Sequence, residues 1–235
     1  MKKDCIDLPE KTYTNRTVEL TPEQKRIYKE LKDYAMAELG EMEIVSTSSV
    51  ITQILRLQQV LCGFTRSDTG EIIEIPSNRI DELLSILEEI DGKCIIWANY
   101  QYDIRLIEKV LRKIYGPESV ATYYGETPSN SRQQIVTNFQ NKESKLRFFV
   151  GQPRTGGFGL TLTAANTVIY YSNSYDLEIR LQSEDRAHRI GQKNKVTYID
   201  LCSPKTIDER IIKSLRSKIN IATQILGEDY RTWLV

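Results

Sequence analysis

The sequence predicts an α/β fold built on an open, mainly parallel sheet, and three observations carry that reading. From Pro76 onward, short apolar segments alternate with stretches long enough to hold a crossover helix. Each short segment is rich in β-branched or aromatic residues, the side chains that suit a pleated surface. The apolar runs are nearly continuous instead of alternating with polar residues, as parallel strands covered on both faces require. The strand candidates are 93–99 (KCIIWAN), 119–125 (SVATYYG), 146–152 (LRFFVGQ), 167–173 (TVIYYSN) and 196–202 (VTYIDLC).

Residues 1–75 read as a helical extension, and residues 76–235 as the α/β lobe. In the extension, Thr21 can cap a helix, with Pro22 in its first turn and Gln24 closing a capping box. Ile27, Leu31, Tyr34 and Ala35 would then line one face. A second helix is expected over 49–61, with Ile51, Ile54, Leu55 and Gln58 at helical spacing, before the turn signal SDTG at 67–70. The lobe opens with the amphipathic segment NRIDELLSILEEI, broken at Asp91-Gly92. It closes with a helix from Thr206, whose capping box would use Glu209 and whose apolar side carries Ile211, Ile212, Leu215, Ile219 and Ile225.

Lysine plus arginine (32) equals aspartate plus glutamate (32), so attraction to nucleic acid has to come from local placement of charge. Cys5, Cys62, Cys94 and Cys202 are widely scattered, and His188 is the single histidine, which leaves no zinc ligand set and points to reduced, structural thiols. The amino terminus is charged where a signal peptide turns apolar, and no apolar run approaches the roughly 18 residues that span a bilayer. A cytoplasmic protein with no membrane partner is expected.

Ligands of open α/β sheets bind outside the carboxyl ends of the strands. That rule directs attention to Asn99-Tyr100, Tyr124-Gly125, residues 151–159, residues 172–174 and Cys202-Ser203. A helix predicted from near Ser174 to Gly191 would place Gln182, Arg186 and Arg189 on one face, at i, i+4 and i+7. Glu184 and Asp185 point elsewhere, so the two guanidiniums are available to a multiply charged acceptor such as a phosphate. Spacing alone suits a solvated charged helix as well. Gly156, Gly157 and Gly159 could let backbone N–H groups approach a phosphate, or could simply make a tight turn. A dinucleotide fingerprint fails, because position 162 holds Leu162 where the third glycine belongs.

Residues 182–192, QSEDRAHRIGQ, resemble motif VI of the Swi/Snf-type members of helicase superfamily two, Q-x-x-x-R-x-x-R-x-G-Q, at all five specified positions. Upstream, RTGGFGLTLTAANTVIYY at 154–171 resembles motif V of the same family. VELTPEQKRIYKEL, PSNRIDELLSIL, GKCIIWANY and YYGETPSNSRQQIVTNFQ follow the family's order, so the resemblance covers nearly the whole chain. It implies the second RecA-like lobe of an ATP-driven double-stranded DNA translocase, with helices on both faces of the sheet. Arg186 and Arg189 would be arginine fingers reaching ATP and Mg2+ held mainly on a separate first lobe, and Gln182 would share that surface. Gly157 and Gly159 would approach the nucleotide, and Thr161 and Thr163 would add hydroxyl donors at the start of a short helix. Asn99, Tyr124, Gly125 and Thr127 would grip the DNA backbone. Arg132 is expected in a structural salt bridge, and Trp97 and Phe139 in the core.

The likeness is strongest to compact bacterial and phage forms. The family's acidic Trp-Asn-Pro signature is replaced by SNSYDLEIRLQ, Arg79 stands where a lysine is usual, and Thr155 where an alanine is. No G-x-x-x-x-G-K-[ST] loop and no D-E-x-H box occur, since Asp81-Glu82 and Asp208-Glu209 fall in first turns of helices. The chain by itself should therefore hydrolyse ATP negligibly, as a piece of a longer protein or half of a split enzyme. A catalytically silent DNA- or protein-binding adaptor is the alternative.

Overall fold

The computed structural model describes residues 8–41, 46–67, 69–155, 159–219, 221 and 233. Its elements run β1 (Lys11–Thr17), α1 (Pro22–Gly40), α2 (Thr47–Leu61), β2 (Phe64–Arg66), β3 (Ile72–Glu74), α3 (Arg79–Glu89), β4 (Lys93–Trp97), α4 (Gln101–Tyr115), β5 (Val120–Tyr123), α5 (Ser129–Gln140), β6 (Phe148–Gly151), β7 (Ala165–Tyr170), α6 (Leu177–Glu184), β8 (Val196–Cys202) and α7 (Ile207–Arg216). Six strands form one sheet in the order β1-β8-β7-β4-β6-β5. The pairings of β4 with β6 and β7, of β5 with β6, and of β7 with β8 are parallel. The expected mainly parallel α/β sheet is what forms, with every strand candidate in it.

Successive residues of β4 explain why its run is continuously apolar. Ile95 and Trp97 pack with Phe139, Phe149, Val168 and Tyr170 on one face. Cys94 and Ile96, pointing the other way, are equally buried. Helix α5 supplies Phe139 to the first face, and α4 packs on β5 and β6. Cys62, Cys94 and Cys202 are free and buried, and Cys5 lies outside the described residues.

The chain divides into two compact units. The described parts of Met1–Arg16, Ser85–Ser174 and Glu178–Leu201 form one, and those of Thr17–Leu84, Tyr175–Leu177 and Cys202–Val235 the other. In the second unit, Ala35, Leu39, Val50, Ile54, Leu57, Ile211 and Leu215 share a core. Arg79 is fully buried there and pairs with Asp208, donating also to Leu61 O at 3.1 Å.

The amino-terminal segment departs from an all-helical extension in two places. β1 is an edge strand of the main sheet, and β2 and β3 form an antiparallel hairpin. The KTYTNRT run has no continuous apolar face to announce a strand. Gly70, at φ +86°, closes the hairpin, while Asp68 of the SDTG turn lies outside the described residues. The capping box of α1 forms as expected: Thr21 Oγ1 accepts from Gln24 N at 3.1 Å and Gln24 Oε1 from Thr21 N at 3.2 Å. Its buried side is Gln24, Ala35 and Leu39, however, and Tyr34 is exposed. In α7, Thr206 caps Asp208 N, while Glu209 reaches back to Lys205 N at 2.9 Å instead of closing a box. Ile219 lies beyond α7 and is exposed, and Ile225 is outside the described residues. No helix among the described residues is long and apolar enough to cross a membrane.

Candidate functional site

Helix α6 ends at Glu184, well short of Gly191. The shared helix face expected for Gln182, Arg186 and Arg189 therefore does not exist. Arg186 N donates to Ser183 O and Ala187 N to Glu184 O, both at 3.3 Å, so the chain tightens into turns as the helix closes. Gln182 stays on α6 and donates to Glu178 Oε1 at 2.9 Å. Arg186 is buried, against the expectation of two available guanidiniums, and Arg189 is held at Leu160 O. Burial first, and the Arg189 guanidinium second, lower the Arg186 pKa, with Asp185 opposing.

The segment carrying these arginines is sewn to the glycine-rich segment before β7. Arg189 Nη1 donates to Leu160 O at 3.1 Å, and Leu162 N donates to Arg186 O at 3.0 Å. Thr161 sits between those two anchored residues, half-buried. Gln192 Nε2 lies within hydrogen-bond distance of Thr163 O (3.2 Å), Ala165 O (2.9 Å) and Ala187 O (3.1 Å). Gln140 adds a bond from Nε2 to Thr163 Oγ1 at 3.0 Å, while its Oε1 accepts from Ala164 N at 2.8 Å. No helix follows Gly159: residues 159–164 are turn and irregular chain, so Thr161 and Thr163 do not open one. Gly159 has φ +78° with open space around its missing Cβ, while Gly157 lies outside the described residues.

Topology places this arrangement away from the rim that the strand-end rule singled out. β6 and β7 both run parallel to β4, so the chain between Gly151 and Ala165 passes from the carboxyl end of one strand to the amino end of the other. The arginines lie beside that amino end, because Gln192 and Ala187 contact Ala165 directly or through one side chain.

A separate cluster occupies the carboxyl rim. Asn99 N donates to Ser172 Oγ at 2.8 Å, Ser172 Oγ donates to Asp103 Oδ2 at 3.0 Å, and Gln152 Nε2 donates to Asn99 O at 3.0 Å. Thr127 Oγ1 accepts from Tyr124 N at 3.0 Å and donates to Thr122 O at 3.1 Å, so this hydroxyl shapes the turn that displays Gly125. Tyr124 is largely buried and Gly125 exposed. Arg132 clamps the same turn from below, donating to Thr127 O at 3.1 Å and Tyr124 O at 3.3 Å, in place of the expected salt bridge. Sequence reasoning missed Gln140, Gln152 and Arg180. A buried Arg180, bonded to Asp200 and Glu184 and lying 3.5 Å over the Tyr170 ring, has no counterpart in any motif quoted above.

Chemically, the forked N–H donors of Arg189, held at Leu160 O next to the positive-φ Gly159, are of a kind that matches phosphate oxygens.

Residues 77–191 match the family described as the helicase conserved C-terminal domain. An uncharacterized ATP-dependent helicase of Mycoplasma pneumoniae is 30% identical over 225 residues, covering 95% of this chain and 21% of that protein. The human chromatin-remodeling ATPase INO80 is 31% identical over 161 residues, covering 68% of this chain and 10% of that protein. Among solved structures, the Sulfolobus solfataricus SWI2/SNF2 ATPase core in complex with dsDNA superposes with a TM-score of 0.73 at 26% identity, covering 99% of this chain and 49% of that one. The chain thus spans about a fifth of the length of the Mycoplasma relative.

Proposed function

We propose, from the match of residues 77–191 to the helicase conserved C-terminal domain and the likeness to a SWI2/SNF2 ATPase core, that the chain is the second motor lobe of an ATP-dependent double-stranded DNA translocase. The observation that carries this reading is that the segment bearing Arg186 and Arg189 is bonded to the segment before β7, Arg189 Nη1 donating to Leu160 O and Leu162 N to Arg186 O. ATP with Mg2+, held mainly by a first RecA-like lobe, supplies the transferable phosphoryl group. Arg186 and Arg189 meet the charge that develops on it, and Gln182 flanks them. Such arginines are worth roughly 10³ to 10⁵ in rate. Gly157 and Gly159 bring backbone N–H groups toward the phosphates.

At the carboxyl rim the exposed Gly125, with the Asn99 and Tyr124 side chains and the turn that the Thr127 hydroxyl holds, meets the DNA backbone, and Thr161 and Thr163 are separate contacts at the amino end of β7; none of these carries sequence information. The run from Gly151 to Ala165 joins the two clusters, so it is the physical route by which grip on DNA and the arginines are coupled. Residues 1–75 lead from the first lobe, which stands in the same protein or in a split partner. The chain is similar to relatives from both bacteria and eukaryotes, and the replaced Trp-Asn-Pro signature favours a compact bacterial or phage form acting in the cytoplasm.

The test supplies the ATP-gripping lobe and measures DNA-stimulated ATP hydrolysis. The chain alone should be inactive and the pair active, with Arg189→Ala lowering kcat by about 10³ without changing the melting temperature. Restored hydrolysis indifferent to both arginines defeats the proposal. Duplex binding with no hydrolysis under any pairing identifies an adaptor instead.

A further inference from the structure

Glu184 is the residue at which α6 stops and the arginine-bearing turns begin. Its side chain is about 5% exposed, and its carboxylate collects three donors: Arg180 Nε at 2.9 Å, Lys11 Nζ at 3.1 Å and Tyr13 OH at 2.7 Å. Its backbone carbonyl collects three more: Ala187 N at 3.3 Å, His188 N at 3.2 Å and Tyr198 OH at 2.9 Å. The first set fixes where the helix ends, and the second fixes how the chain turns toward Arg186 and Arg189.

Two of the carboxylate's partners come from β1, outside every motif of the helicase domain and outside the matched residues 77–191. The strand is tied to the same segment by further contacts. Pro9 O lies 2.6 Å from His188 Nε2, the Tyr13 ring stacks on Tyr198 at 5.2 Å, and Lys11 approaches Asp185 at 3.9 Å. Charge balances locally, since Arg180 is also bound to Asp200 at 2.5 Å and Lys11 supplies the second cation against Glu184. A buried carboxylate held this way keeps a fixed position, because displacing it strands charge in a low-dielectric setting.

We propose that Lys11 and Tyr13 are positioning residues for the arginine pair, acting through Glu184, so that β1 sets the aim of Arg186 and Arg189. The inference rests on the phosphate-directed role given to those arginines above. Lys11 and Tyr13 touch no nucleotide themselves. They select among arrangements of the turn, which makes their effect larger on a transition-state mimic than on a ground-state nucleotide.

The test uses the chain paired with its ATP-gripping lobe and measures affinity for ADP and for ADP with aluminium fluoride. Tyr13→Phe removes one hydroxyl and Lys11→Met one ammonium, both nearly isosteric. Each should weaken the aluminium fluoride complex about tenfold while leaving ADP affinity within about twofold, and Lys11→Arg should restore it. A loss of folded protein would weaken both ligands by the same factor, so a merely structural role cannot produce that split. Equal losses for both ligands, or no loss for either, overturn the inference while Arg189→Ala still weakens the aluminium fluoride complex. If Arg189→Ala also leaves that complex unchanged, the role assigned to the arginines fails, and this inference with it.

Discussion

Gln192 illustrates how a single side chain can define a site without touching a ligand. Its amide nitrogen lies within reach of the carbonyls of Thr163, Ala165 and Ala187, and its oxygen accepts from Lys193 N and Asn194 N, each at 2.9 Å. Removing it takes a donor from two buried carbonyls, those of Ala165 and Ala187, and an acceptor from two part-buried N–H groups. Gln192→Ala should therefore cost about 2–4 kcal/mol, read as a lowered urea midpoint with unchanged slope. A loss below about 1 kcal/mol would mean that water replaces the amide and that the glutamine is not what holds the two segments together. The sequence singles out Arg186 and Arg189 because their type and spacing match a pattern. Their geometry was not legible there, since the 100° rule assumes a helix that continues. Helix α6 stops at a residue whose buried carboxylate is bonded to Lys11 and Tyr13, far away in the chain. Local periodicity carries no trace of so remote a contact.

Elements became legible in proportion to how fully they are buried. β4, β6, β7 and β8 are apolar on both faces and stood out, whereas β1, an edge strand of mixed polarity, did not. Edge strands pair on one side only, so sequence need not advertise them. The same distinction applies to the ends of helices. Thr21 and Gln24 form a local box that three-residue spacing reveals, but the anchor of α3 is Arg79, whose partners are Asp208 and Ser203 at the start of α7 and the last carbonyl of α2. Arg79→Ala strands the buried Asp208 carboxylate and should destabilise the protein by about 3–5 kcal/mol. Arg79→Lys keeps the charge and loses the fork, so its cost should be smaller, about 1–2 kcal/mol. Guanidinium chloride melts of the three proteins check the ranking. Equal losses for alanine and lysine would show that hydrogen-bond geometry, not charge, carries the contact.

At the scale of the whole molecule, charge is balanced, 32 basic against 32 acidic residues, and composition was silent about nucleic acid. The groups proposed to meet DNA at the carboxyl rim, Asn99, Tyr124, Gly125 and Thr127, are neutral. Several of the nearby cations are occupied: Arg105 by Glu126, and Arg132 by the Tyr124 and Thr127 carbonyls. Each phosphate neutralised by a lysine or arginine steepens the dependence of log K on log salt concentration by about 0.9, whereas neutral donors release few counterions. Duplex binding by this chain should accordingly be weak, indifferent to sequence and only shallowly dependent on salt, with a slope of magnitude below about 3. Titrating a labelled duplex between about 50 and 200 mM salt reads the slope directly. Asn99→Ala should weaken binding without altering the salt slope, because the contact it removes carries no charge. A slope of about 6 or steeper would instead require a row of basic side chains on the DNA, moving the interface off the rim to a surface richer in lysine and arginine.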